Sequence, residues 1–107
     1  MWVGVDLDGC LARYTHWTHR GEDYIGDPVP SMQNRVMELL AAGVEVRIFT
    51  ARVCNPVTAN HHRSLIENWC EKHLGKRLPV TNQKDYDLVR FYDDRARRVE
   101  VNTGRIL

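Results

Sequence analysis

The sequence predicts an α/β fold, a mainly parallel sheet with helices on both of its faces. Short apolar segments rich in valine alternate along the chain with longer segments whose apolar residues recur at helical spacing. Three of the short segments end in acidic or hydroxyl residues, as strands do when they bring a ligand site to the carboxyl edge of a parallel sheet. The 107 residues suffice for one domain with a single layered core, which we place at residues 1–107.

The first half of the chain contains two predicted strands and one helix. Residues 2–7 predict a buried strand, because they are short, apolar and followed by Asp8 and Gly9. Ser31 is a suitable N-cap for a helix that runs to about residue 42, where Gly43 ends it. Alternating apolar and polar residues then predict a second strand over residues 44–50.

The second half continues the alternation. A helix is predicted over residues 58–74, with apolar residues on one stripe and Gly75 at its end. Strands are predicted over residues 78–81 and 88–92, and a last strand near residues 105–107.

Residues 10–30 show no clean periodicity. They combine glycine, proline, histidine and tryptophan, and a loop of this length inside a small domain is uncommon unless it has a function. The segment is too short for a large second domain. We therefore predict a flap or minimal cap beside an open site.

Composition excludes several classes of protein. Hydrophobic residues at 43% are ordinary for a soluble globular chain. The formal net charge of +1 gives no general attraction to nucleic acid or to an anionic membrane. We find no apolar stretch near the roughly twenty residues of a membrane span, and no signal peptide. Three cysteines are an odd number without regular spacing, which favours a reducing cytoplasm over a disulfide framework.

Candidate functional residues follow three of the predicted strands. Asp6 and Asp8 end the first, Thr50 ends the second, and the pair Asp93 and Asp94 ends the fourth. If the strands are parallel, these groups converge on one edge, where four carboxylates would repel each other unless a cation lay among them. Oxygen ligands of this kind favour a hard cation such as Mg²⁺. With a hydroxyl and a nearby lysine, such a site can bind a phosphoryl group and balance its charge during transfer.

The motifs VDLDG, IFT, Lys84 and FYDD, in this order, resemble the four motifs of the haloacid dehalogenase (HAD) superfamily. The segments IGDPVP, VRIFTAR and YDDRARRVEVNTG are also similar to small, cap-poor HAD-like proteins common in phages and bacterial genomes. The resemblance covers nearly the whole chain. It implies a single-domain, Rossmann-like, doubly wound sheet with a minimal cap or none.

The resemblance also implies roles for individual residues. Asp6 matches the nucleophile that forms an aspartyl-phosphate, and Asp8 matches the general acid that serves the leaving oxygen and then the hydrolytic water. Mg²⁺ would be held by the Asp6 carboxylate, the Asp8 carbonyl and Asp93, with Asp94 as a further or alternate ligand. Because family members that cleave C–Cl or P–C bonds generally lack the acid, Asp8 favours a phosphatase.

The remaining motif residues would bind substrate. Thr50, with Ala51 beside it, would hold the phosphoryl oxygens, and Lys84 would neutralise the nucleophile and the transferring group. Two of these assignments have open alternatives: Arg52 contacts the substrate or forms a surface ion pair, and Lys84 could be an ordinary solvated lysine. Asp94 could equally cap a following helical turn. Cys10 stands where threonine or valine is usual, which affects packing more than chemistry.

These features predict a Mg²⁺-dependent hydrolase of phosphomonoesters. The segments TAR and DDRA are also similar to the 3′-phosphatase part of polynucleotide kinase-phosphatases, which implies a nucleotide or a nucleic-acid end as the substrate. A non-catalytic module that binds a metal and phosphorylated ligands is the alternative. A receiver-like phosphoacceptor also uses Asp, Thr and Lys, but the order of the acidic residues here does not fit it. Four arginines cluster near the last motif, at positions 90, 95, 97 and 98. We expect them to form a solvated charged face, balanced by Asp85, Asp87 and Glu100, rather than a phosphate-binding patch.

Overall fold

The computed structural model describes residues 1–14 and 23–107. The predicted flap over residues 10–30 is therefore described only in part, and residues 15–22 lie outside it. The described elements are β1 (Trp2–Asp6), α1 (Pro30–Ala41), β2 (Val46–Phe49), a single 3₁₀ turn (Ala51–Val53), α2 (Ala59–Leu74), β3 (Val80–Thr81) and β4 (Leu88–Tyr92).

The four strands form one sheet in the order β3-β2-β1-β4, and every neighbouring pair is parallel. The α/β class with a parallel sheet is thus confirmed. Asp6 pairs in register with Phe49, and Val5 with Tyr92, so β1, β2 and β4 all end at one edge. Since β1 lies between β2 and β4, the three strands that precede the candidate residues are neighbours.

Both helices pack on the same face of the sheet, which differs from the predicted arrangement. Val36 of α1 and Ile66 of α2 share one buried cluster with Val3, Val5 and Ile48 of the sheet. The reason is topological: β1 to β2 and β2 to β3 step in the same direction across the sheet. Right-handed crossovers that step in one direction place their helices on one face.

The opposite face is crossed by the short connection 82–87 between β3 and β4. The Trp2 indole donates a hydrogen bond of 2.8 Å to the Asp85 carboxylate, and the backbone N–H of Trp2 donates to the Asp87 carbonyl. The Arg47 guanidinium lies 4.4 Å above the Trp2 ring. This crossover steps back across the sheet and so takes the other face, but its six residues hold no helix.

The predicted boundaries were nearly right, with two corrections. Helix α1 begins at Pro30, so Ser31 lies inside the helix, and Val29 is the cap residue, with no side-chain hydrogen bond. Proline suits the first helical position because the N–H it lacks would have no partner there. The predicted last strand joins no sheet; Val99 and Ile106 form only an isolated antiparallel bridge.

Within the described parts of the chain, α1 has 12 residues and α2 has 16. Neither is long and apolar enough to cross a membrane.

Candidate functional site

A cavity of about 410 Å³ opens where β1 and β2 end. It gathers most of the predicted site residues together with three that the sequence analysis did not assign to the site, Tyr14, Phe49 and Arg95. Its lining residues are Asp6, Asp8, Tyr14, Phe49, Thr50, Ala51, Arg52, Asp93 and Arg95. The strand ends therefore converge as the parallel sheet predicts.

Three carboxylates form what we call the acidic side of the site: Asp6, Asp93 and Asp94. One carboxylate oxygen from each lies within 4.8 Å of the others. Opposite ligands of Mg²⁺ are about 4.2 Å apart, because each metal–oxygen bond is near 2.1 Å. Small side-chain adjustments would thus bring the three oxygens to one hard cation, so the donor set fits the implied Mg²⁺.

Crowding on the acidic side has a clear electrostatic consequence. The pKa of Asp6 rises from 3.8 to about 7, first because the carboxyl is partly buried, then because it shares a hydrogen bond with Asp94 and faces the charge of Asp93. A hydrogen bond from the backbone of Leu7 partly opposes this rise. Without a cation, Asp6 therefore holds a proton over much of the pH range in which it would have to act as a nucleophile.

Gly9 allows the acidic side to form. Its φ of +85° lies in the left-handed region, and a Cβ atom there would sit 2.9 Å from Oδ2 of Asp94. Any other residue would thus be strained in its backbone and would also push Asp94 aside. The glycine of the DLDG sequence serves the turn and the carboxylate cluster at once.

The arginine side of the site consists of Asp8, Thr50 and Arg52. Arg52 donates from Nε to Oδ2 of Asp8 and from a terminal nitrogen to Oδ1, both at 2.8 Å. The same terminal nitrogen donates to the backbone carbonyl of Tyr24 at 2.7 Å. The Arg52 side chain is only 5% exposed and that of Asp8 18%. Arg52 therefore forms an ion pair, one of the two predicted alternatives, but a largely buried one rather than a surface one.

Thr50 explains how Arg52 reaches this position. Its hydroxyl oxygen accepts a hydrogen bond of 3.1 Å from the backbone N–H of Arg52, which caps the 3₁₀ turn. Its own N–H donates to the carbonyl of Thr81 on β3. Thr50 is 3% exposed, and its hydroxyl hydrogen can still be donated to a ligand in the cavity.

Lys84 is not brought to this cavity. It is exposed on the crossover 82–87 and lines a separate cavity of about 500 Å³ with Asp85, Tyr86 and Leu88. Asp85 contacts Trp2, which begins β1, so this part of the crossover lies toward the opposite edge of the sheet. Arg95, by contrast, lines the site cavity and follows the acidic pair directly, a position in the sequence that could have identified it.

The arginines in and just after β4 differ from most other arginines of the described chain, because they form no ion pair there. A second cavity of about 510 Å³ shares Asp93 with the first and is lined by Arg90, Arg97 and Arg98. Other arginines of the described chain form ion pairs with carboxylates: Arg35, Arg47, Arg52, Arg77 and Arg105. None of these ion pairs involves Arg90, Arg95, Arg97 or Arg98, and two of the acids expected to balance them, Asp85 and Glu100, face Arg47 and Arg105 instead.

No protein-family model, curated protein or solved structure matches the chain.

Proposed function

We propose that the protein is a HAD-type, Mg²⁺-dependent phosphatase that hydrolyses a phosphomonoester through an aspartyl-phosphate. The supporting observation is the meeting of three carboxylate oxygens within 4.8 Å at the edge where Asp8 and Thr50 also lie. The central position of β1, with the acidic end of β4 on one side and Thr50 on the other, supports the superfamily assignment. The three free cysteines agree with a reducing cytoplasm as its location.

In the proposed reaction, a carboxylate oxygen of Asp6 attacks phosphorus and the bond from phosphorus to the ester oxygen breaks. Asp8 gives a proton to the departing oxygen. Water then attacks the aspartyl-phosphate, Asp8 takes its proton, and inorganic phosphate leaves as Asp6 is restored. Asp6, Asp93, Asp94 and the Asp8 carbonyl would hold Mg²⁺, which supplies positive charge against that of the phosphoryl group.

Two further kinds of group, hydrogen-bond donors and positive charges, act on the phosphoryl oxygens in this proposal. The Thr50 hydroxyl and the backbone around Ala51 bind them, because both line the cavity beside Asp6. Positive charge comes from Arg95, which lines the same cavity, and from Lys84 if the crossover turns toward the site when substrate binds.

The substrate class we propose is a nucleotide or a nucleic-acid end. The cavity beside Asp93 supports this, because its arginines face solvent without carboxylate partners in the described chain. Phosphates beyond the reacting one could bind there. Phe91 lines the same cavity and is 37% exposed, so it offers a base a surface for stacking.

The test is phosphate release with and without Mg²⁺, measured for the wild type and Asp6→Asn in parallel. The panel holds an aryl phosphate, 5′- and 3′-mononucleotides, and oligonucleotides phosphorylated at either end. We expect Mg²⁺-dependent turnover that Asp6→Asn lowers by about 10³-fold or more, since the nucleophile is lost. Asp87→Asn, an exposed aspartate outside the cavity, is the matched control.

A non-catalytic module that binds a metal and a phosphorylated ligand is the second candidate. The exposed position of Lys84, away from the acidic side, favours it. In that case wild type and Asp6→Asn would be equally inert on the whole panel while Mg²⁺ still bound to the wild type. That result would overturn the phosphatase proposal.

A further inference from the structure

Only three of the four carboxylates at this edge gather in the acidic side. Asp8 is two residues from Asp6 and lines the same cavity, yet its carboxylate is not part of the cluster. A free carboxylate beside this cluster could replace one of the cation's waters and become a ligand, because carboxylate oxygens are the ligands that hard cations prefer. Something must keep Asp8 away from the cation site.

Arg52 supplies that restraint. Its fork engages both Asp8 oxygens at 2.8 Å, a bidentate arrangement that fixes the orientation of the carboxylate as well as its position. The bond to the Tyr24 carbonyl and the cap that Thr50 provides hold Arg52 from two other directions. Because little of the pair is exposed, solvent screens it less than an ordinary surface ion pair.

We infer that Arg52 is a positioning residue, which keeps the Asp8 carboxylate out of the cation site and beside the phosphoryl position. This inference rests on the proposed function for its role in turnover, but its effect on metal binding does not depend on turnover. The Arg52 side chain, 5% exposed and held at both ends, is placed to orient a neighbour rather than to capture substrate.

The metal-binding test is a double-mutant cycle of Asp8→Asn and Arg52→Gln, with Mg²⁺ affinity measured by calorimetry. With Arg52 present, Asp8→Asn should weaken Mg²⁺ binding by about threefold, through charge alone. In the Arg52→Gln protein, the released Asp8 carboxylate becomes a ligand of the cation. Asp8→Asn should then weaken Mg²⁺ binding by about tenfold or more. Equal costs in the two backgrounds would overturn the inference.

The second readout is the dependence on the leaving group. Arg52→Gln should resemble Asp8→Asn: turnover of an alkyl phosphate, which needs an acid, should fall about tenfold more than turnover of 4-nitrophenyl phosphate, which does not. If Arg52→Gln instead raises KM for both substrates equally, Arg52 binds substrate and the inference fails. If no variant turns over any substrate, the proposed function fails, while the calorimetric cycle still decides the role of Arg52.

Two further variants guard against trivial results. Arg77→Gln removes one paired, exposed arginine that lies just after the C-terminal end of α2, and it should change Mg²⁺ affinity by less than about twofold. Arg52→Lys keeps the positive charge but loses the bidentate guanidinium. In the Arg52→Lys protein, Asp8→Asn should therefore weaken Mg²⁺ binding more than it does with Arg52 present and less than it does in the Arg52→Gln protein. Thermal unfolding of each variant confirms that it is folded before affinities are compared.

Discussion

Asp6 and Asp8 stand two residues apart, yet the two sides of the site give their carboxylates opposite surroundings. On the acidic side, Asp6 faces Asp93 and Asp94, and its pKa rises to about 7. On the arginine side, Asp8 is held by a nearly buried guanidinium. The difference comes from the neighbouring strands, because two aspartates follow β4 while β2 leads into the turn that carries Arg52.

This contrast shows how a single strand end can supply two chemically different carboxylates. Burial and like charge make Asp6 costly to ionise until a cation arrives, whereas the Arg52 guanidinium already binds both carboxylate oxygens of Asp8. Sequence spacing alone does not separate the two residues. The separation depends on which strand lies on each side of β1.

Replacing an aspartate on each side in turn tests the contrast most strongly. Asp93→Asn should weaken Mg²⁺ binding by about thirtyfold or more, because it removes a direct ligand from a set of three. Asp8→Asn should weaken Mg²⁺ binding by only about threefold, because the Asp8 carboxylate is paired with Arg52 and is not a ligand of the cation. Calorimetric titration of both variants at one pH measures this, and comparable losses for the two would show that the sides are not distinct.

A smaller effect concerns the positive charge available to the phosphoryl group. Arg95→Met should lower turnover by about tenfold, since Arg95 lines the site cavity, and Lys84→Met should lower it by less than about threefold. Each variant loses one exposed positive charge, so each serves as the control for the other. Steady-state kinetics on an aryl phosphate gives both values. A larger loss for Lys84→Met would mean that the crossover 82–87 turns toward the site when substrate binds.

The sequence predicted the four strands of the sheet, their parallel direction and the meeting of Asp6, Asp8, Thr50 and Asp93, because these follow from local pattern and from the shared direction of the strands. It did not predict that both helices share one face. The handedness of crossovers determines the face, but only when the strand order is known, and no local pattern encodes that order.

Two side-chain positions could not be predicted for a related reason. Arg52 is long enough to reach several acids, and nothing in its neighbours along the chain indicates Asp8 or the Tyr24 carbonyl. Lys84 lies on a six-residue connection that must cross three strand spacings, about 14 Å. So short a crossover leaves no room for a helix that would aim the lysine at the site.

The smallest expected effect is on stability, and it isolates the acidic side. The raised pKa means that folded Asp6 keeps its proton between about 4 and 7, where the unfolded chain has lost it. The folded state then binds more protons, so this contribution to stability is full below the unfolded pKa of 3.8 and is lost as pH rises through 7. Metal-free wild type should therefore lose a few degrees of Tm between pH 5 and pH 8 relative to Asp6→Asn.

Mg²⁺ should reverse that trend, because the cation binds ionised Asp6 and the stability it adds grows with pH over the same window. Melting curves at half-unit pH steps, with Mg²⁺ and with a chelator, give both slopes. With chelator present, the Tm of the Asp8→Asn protein should change with pH as that of the wild type does, because this substitution leaves the acidic side intact. Parallel Tm curves for wild type and Asp6→Asn would mean that Asp6 is ionised without a cation, and the electrostatic distinction between the two sides would then be wrong.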